Sequence, residues 1–211
     1  MRDIPVFTTE NGAASLILRE IPYSGAAYVT IQATLSADAL LEDCMGFCKA
    51  AGAKLVLATG HPALERYPVY AVIRRMSRLN TPMDTDAVAV PVTEETIDTW
   101  RDIYNRKMAN VLTAAHMNCG EGKKLLDAEK AYFVYRGETC IGICAGEKDT
   151  VEVIASTSPG CGLDILSALC NIMTENEIFL DVAEENHKAI RLYEQAGFKD
   201  TGEKLCWYKI F

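Results

Sequence analysis

Ile178-Phe179-Leu180-Asp181-Val182-Ala183, followed after two glutamates by Asn186-His187-Lys188-Ala189-Ile190-Arg191-Leu192-Tyr193-Glu194-Gln195-Ala196-Gly197-Phe198, is the stretch on which the fold turns. The first six residues are an apolar run of the kind that forms a buried strand. Asn186 is a good helix N-cap, and Glu184 and Glu185 stand at the positive end of the helix dipole that would follow. Ala189, Leu192, Tyr193 and Ala196 recur at i, i+3, i+4 and i+7, which predicts one apolar helical face. Gly197 is the expected left-handed stop, and Phe198 packs back after it. Taken by themselves, these residues make Tyr193 a core position on an ordinary strand–helix unit.

As a whole the pattern, N-x-x-A-x-x-L-Y-x-x-x-G-F after an apolar strand, resembles the late motif of the GNAT N-acetyltransferases. In that family the strand and helix form one wall of the acetyl-coenzyme A cleft. The resemblance implies that Asn186 helps to hold the pantetheine side and that Tyr193 protonates the departing thiolate.

Working outward, the chain has 211 residues, 49% of them hydrophobic and 24% charged, which is ordinary for a soluble globular protein with a sizeable core. A net charge of −8 argues against a nucleic-acid surface and suits a cationic small substrate slightly. No apolar stretch approaches a membrane span, and Met1-Arg2-Asp3-Ile4-Pro5 lacks the long apolar segment of a signal peptide. The eight cysteines are scattered through predicted helices and strands, so they read as reduced, buried thiols in a cytoplasmic protein. Cys44 and Cys48, one helical turn apart, read as core. His116-x-x-Cys119 offers only two ligands, and no metal site is expected.

Residues 1–80 read as a smaller N-terminal αβ domain. Ala27–Ile31 is a predicted strand, Ala37–Ala53 a helix with an apolar stripe, and Lys54–Thr59 and Tyr70–Ile73 further strands. Between the last two, His61, Ala63 and Tyr67 repeat the His-x-Ala-x-x-x-Tyr spacing of His187, Ala189 and Tyr193. The N-terminal domain is therefore either a degenerate half-copy of the later unit or a chance likeness between two αβ units. Residues 81–86 are the expected linker.

From Ala87 the reading is a strand, and then a helix capped by Thr93 that runs to about Met108. A second helical piece follows over 109–117, interrupted by Gly120-Glu121-Gly122. Next come a hairpin over Ala131–Cys144, a strand Val151–Ala155, a helix Leu163–Met173, the opening unit, and a last strand Leu205–Ile210. This order over residues 87–211 also resembles the GNAT fold, a mixed α/β sheet. The aromatic final strand offers a surface for a homodimer.

Strand Val151–Ala155 runs into Ser156-Thr157-Ser158-Pro159-Gly160-Cys161-Gly162 and a helix, and a helix N-terminus is a ready anion site. Here GNAT proteins carry a Gln/Arg-x-x-Gly-x-Gly/Ala loop around the coenzyme A pyrophosphate. The resemblance places Thr157 at the Gln/Arg position and Gly160 and Gly162 at the glycines, with Ser158, Cys161 and Leu163 beside them. The match departs in charge, because no Lys or Arg occurs from Val151 to Cys170 and Asp164 sits in the first turn. Backbone donors and the helix dipole, helped by Ser158, could still suffice, and Lys188 or Arg191 could add charge from the neighbouring helix.

The resemblance implies acetyl transfer from acetyl-CoA to a small-molecule or peptide amine in a ternary complex. An amine with a pKa near 10 must lose a proton before it attacks. Glu152 matches the family's base, while an outward surface glutamate is the alternative. A backbone N–H at Val153, Ile154 or Ala155 would polarise the thioester carbonyl. A catalytically silent acyl-CoA-binding or interaction module is the competing reading: the bare phosphate loop favours it, and the intact Asn186/Tyr193 motif favours the enzyme.

Overall fold

The computed structural model describes residues 3–112 and 114–211. In chain order they form β1 (Ile4–Thr9), β2 (Gly12–Ile17), α1 (Ile21–Ser24), β3 (Ala26–Thr34), α2 (Ala37–Ala50) and β4 (Leu55–Thr59). A 3-10 helix (Pro62–Arg66), β5 (Val69–Leu79), β6 (Val88–Pro91), α3 (Ile97–Met108) and α4 (Cys119–Asp127) follow. The chain ends with β7 (Ala131–Arg136), β8 (Thr139–Glu147), β9 (Thr150–Ser156), α5 (Gly162–Ile172), β10 (Glu177–Ala183), α6 (His187–Gln195) and β11 (Lys199–Lys209).

Two compact units result, one running up to Val72 and including Leu205–Phe211, the other Ile73–Lys204. The division differs from the expected linker at 81–86, which lies inside the second unit. The reason is β5, one unbroken strand from Val69 to Leu79 where only Tyr70–Ile73 carried a strand pattern.

In the first unit β1, β2 and β3 pair antiparallel, and α2 carries the chain over to β4, which lies parallel to β3. Leu40, Leu41, Cys44 and Cys48 of α2 are buried in one core with Leu16, Val29 and Val56. Burial pushes the Cys44 thiol up to about 12 and the Cys48 thiol up to about 11, which leaves both inert at neutral pH. β4 then pairs with the end of β11, Tyr208 opposite Ala58.

The second unit pairs β6 through β9 antiparallel, crosses over through α5 to a parallel β10, and sets β10 antiparallel to β5. Helix α5 buries Ile165, Leu166, Leu169 and Cys170 with Val134, Val151 and Leu180 on one face. Trp100 and Tyr104 of α3 cover the other face with Phe133, Ile143 and Ala155, and the Trp100 indole donates to the Tyr132 carbonyl at 3.0 Å. Helices α3 and α4 thus lie on one side of this sheet and α5 and α6 on the other.

Three local expectations change. Thr93–Thr96 is a turn, and α3 starts at Ile97. Among the described residues of 109–117 there is no helix, and α4 instead runs straight through Gly120 and Gly122. Asn118 and Glu121 close a reciprocal capping box at 3.0 Å each way that fixes this start. The stretch after His61 is a short 3-10 helix, with His61 Nδ1 accepting from the Ala63 N–H at 3.1 Å.

The series β1-β2-β3-α2-β4-β5 and β7-β8-β9-α5-β10-β11 follow one order and one pattern of pairing. The strand that ends each series completes the sheet of the other: Ile73–Leu79 of β5 belong to the second unit and pair with β10, and the Leu205–Lys209 end of β11 belongs to the first, where Tyr208 and Lys209 pair with β4. Among the described residues no helix is long and apolar enough to cross a membrane.

Candidate active site

The site begins where two parallel strands part. β9 meets β10 only at Thr150↔Phe179 and Val151↔Leu180. At that point β9 carries a bulge: its register against β8 passes from Val151↔Gly146 to Val153↔Ala145, leaving Glu152 as the extra residue. A bulge bends the strand that holds it. The Thr157 N–H donates to the Ile141 carbonyl at 2.9 Å. Antiparallel alternation then turns Ala155 and Val153 toward β8, and the backbone groups of Ile154 and Ser156 toward the edge that β10 has left.

A cavity of about 820 Å³ fills this gap. Ile154, Ala155 and Ser156 line it from β9, Thr157–Gly160 and Gly162 from the loop, and Asn186, Lys188, Arg191, Leu192 and Tyr193 from α6 and its cap. Lys107 and Met108 of α3, with Val111, line it too. Since α3 and α6 lie on opposite faces, the cavity runs through the sheet.

The loop is held by its own hydroxyls. Ser156 Oγ donates to the Ser158 carbonyl, and Thr157 Oγ1 donates to the Cys140 carbonyl at 3.0 Å. Gly160 has φ +81°, a left-handed conformation that glycine adopts without strain. At Gly162 a Cβ would stand 3.1 Å from Leu192, so glycine lets α6 lean onto the start of α5. Asp164 does not line the cavity. Its carboxylate is 2.6 Å from Arg136, which also binds Asp86 at 2.9 Å, so its charge is neutralised away from the loop.

Asn186 caps α6, its Oδ1 accepting from the Ala189 N–H at 3.2 Å. About two turns on, Tyr193 packs edge-on against Phe198 with ring centroids 6.1 Å apart. Its hydroxyl hydrogen-bonds to none of the described residues. Burial alone pushes the phenol up to about 12, so Tyr193 holds its proton at any ordinary pH.

Of the residues expected from sequence, the structure brings together Ile154, Ala155, Ser158, Gly160, Gly162, Asn186, Lys188 and Tyr193 around one cavity. Val153, Cys161 and Leu163 are outside the lining. Cys161 is instead the buried residue before α5, with its thiol 3.7 Å from the Pro159 carbonyl. Glu152 is outside as well: it is exposed on the bulge, 3.4 Å from Lys130, which also binds Glu147. Lys107, Met108 and Val111 fall in the stretch around residues 105–125, where sequence places part of an acceptor pocket without any motif that picks out single residues.

No family model matches the sequence, and no curated protein matches it. Solved structures do. A GCN5-related N-acetyltransferase from Sphaerobacter thermophilus aligns over 93% of this chain and 75% of its own, at 11% identity and a TM-score of 0.64. The chain has the GNAT fold. A second GCN5-related N-acetyltransferase, from Anabaena variabilis, shares this GNAT fold with a TM-score of 0.60 at 11% identity, over 93% of this chain and 58% of that one. A conserved protein of unknown function from Staphylococcus epidermidis shares it at 0.59 and 10% identity, over 96% and 91%. At these identities the likeness is one of fold.

Within the GNAT fold only one of the two similar series opens a gap. In the first unit β3 and β4 stay paired from Ala26↔Leu55 to Thr30↔Thr59. The donors just before α2 are also consumed, the Leu35 and Ser36 N–H groups both bonding to the Asn11 carbonyl at 2.8 and 3.3 Å.

Proposed function

We propose that the second unit is an N-acetyltransferase that moves an acetyl group from acetyl-CoA to a primary amine by direct attack in a ternary complex. The observation that carries this reading is the parting of β9 and β10 into a cavity shared by a glycine loop, a helix N-terminus and a protonated tyrosine.

The residues fit an acyl-CoA. The free edge of β9 presents backbone donors and acceptors for an extended amide chain, as in strand addition. The loop N–H groups and the start of α5 suit a pyrophosphate, with Lys188 and Arg191 supplying the charge that the loop lacks. Bound there, acetyl-CoA would supply an acetyl group activated as a thioester. The Ile154 N–H polarises its carbonyl. The neutral amine nitrogen bonds to the carbonyl carbon and the C–S bond breaks. Tyr193 donates to the departing sulfur, and the proton lost by nitrogen goes to solvent.

No aspartate, glutamate or histidine lines the cavity among the described residues. With Glu152 paired to Lys130 outside it, this reading assigns no side chain as the base. A silent acyl-CoA-binding module is the second reading, favoured by the absence of Lys and Arg from the loop itself.

Titration calorimetry with acetyl-CoA and free CoA tests the reading, with Tyr193→Phe alongside. Micromolar binding to both proteins and turnover lost in the variant are expected. Binding without turnover of any amine selects the silent module, and no binding at millimolar ligand refutes both.

A further inference from the structure

The cavity is unbalanced in charge. Its described lining holds three cations, Lys107, Lys188 and Arg191, and no anion, in a chain whose net charge is −8. The cations divide between the two faces of the sheet. Lys188 and Arg191 lie on α6 beside Leu192, which leans on Gly162 at the glycine loop, so they belong to the phosphate end. Lys107 comes from α3 on the opposite face. It is exposed, and no described residue pairs with it. With Met108 and Val111 it makes a lining of one ammonium and two apolar side chains.

We propose that the acetyl acceptor is a primary amine bearing an acidic group, a carboxylate or phosphate, and that Lys107 is the residue that recognises that group. This deepens the acetyltransferase reading and rests on it. An acid group on the acceptor pairs with Lys107 while Met108 and Val111 cover its carbon skeleton. A second ammonium on the acceptor would meet only like charge in a partly enclosed space, where screening by water is reduced. The overall acidity of the chain would favour cationic acceptors, but the local lining, being nearer, decides the preference. The transfer step is unchanged: nitrogen gains the acetyl carbon, sulfur takes the C–S electron pair and a proton, and one proton leaves to solvent.

The test compares three amines of one length, 4-aminobutyrate, butylamine and 1,4-diaminobutane, by CoA release, with acetyl-CoA binding measured separately by calorimetry. An Asp-Ala-Ala amide and an Asn-Ala-Ala amide form the peptide arm. The expected order of kcat/KM is acid over neutral over diamine, each step about tenfold. Lys107→Met should bring the acid down to the neutral amine, and Lys107→Glu should invert the order, both with acetyl-CoA affinity unchanged. Preference confined to the Asp peptide over the Asn peptide makes the acceptor a peptide N-terminus, and preference confined to 4-aminobutyrate makes it a small molecule; either supports the proposal. Diamine turnover equal to or above that of the acid, an order that ignores Lys107→Glu, or turnover of the neutral amine with none of any acid-bearing amine overturns the inference alone. Acetyl-CoA binding with no turnover of any amine selects the silent module and overturns the acetyltransferase reading as well. Absence of acetyl-CoA binding overturns the acetyltransferase reading and this inference with it.

Discussion

Replacing Tyr193 by Phe removes one oxygen from the cavity and little else. The hydroxyl hydrogen-bonds to no described residue, and the ring keeps its contact with Phe198, so stability should change by less than about 0.5 kcal/mol. The catalytic cost follows from acidity. A phenol at about 12 is a weaker acid than a thiol near 8.5, so complete transfer of its proton to a thiolate is uphill by about 5 kcal/mol. In the proposed transfer Tyr193 would therefore work chiefly as a hydrogen-bond donor to developing negative charge on sulfur. Such a bond contributes about 1.5–3 kcal/mol, or about 10- to 150-fold in kcat, below the upper range of full general-acid catalysis. CoA release under saturating substrates should fall by that factor in the variant, with acetyl-CoA affinity within about twofold. The wild-type rate should also show no loss from Tyr193 ionisation below about pH 11, since the folded phenol releases its proton only near 12. A kcat within threefold of wild type, or a basic limb between pH 8 and 10 that vanishes in the variant, would refute the assignment.

Glu152→Gln should leave kcat within about twofold, because the carboxylate lies outside the cavity beside Lys130. The kcat/KM profile should then rise with pH and level off at the acceptor's own amine pKa; a changed acidic limb in the variant would restore Glu152 as base. Gly160→Ala places a Cβ on a residue at φ +81° and should cost about 1–2 kcal/mol, seen as a Tm lower by about 2–8 °C. Arg136→Ala frees the Asp164 carboxylate at the start of α5 and should weaken CoA binding about two- to fivefold at low salt, with recovery in the double variant carrying Asp164→Asn. Calorimetry of the three proteins decides it.

The opening stretch was legible because its signals are local. Asn186 caps, Gly197 turns left-handed at φ +88°, and Phe198 is buried, all from side-chain chemistry within a few residues. The first hairpin escaped the reading since Ile4–Thr9 alternates poorly and its two-residue turn is Glu10-Asn11, with Gly12 already paired to Thr9, so the turn itself holds no Asn-Gly pair. Helix α4 was hidden by its two glycines, which lower helix propensity by about 1 kcal/mol each, and the Asn118–Glu121 box outweighs them. The bulge at Glu152 depends on how β9 meets its neighbours, and no pattern in Val151–Ala155 announces it. Lys107 reaches the cavity only because α3 packs across the sheet, a long-range fact that single-sequence periodicity does not hold.

The exchange of closing strands has a consequence for how the protein is made. β4 finds its outer partner only in the last residues of the chain, Tyr208 and Lys209. During synthesis the first unit therefore leaves the ribosome with an open sheet edge, a template for wrong pairing, until Tyr208 and Lys209 have been made. The partner of β10, by contrast, has already been made when β10 appears. The second unit can close in the order of synthesis, while the first unit is the later of the two to be completed.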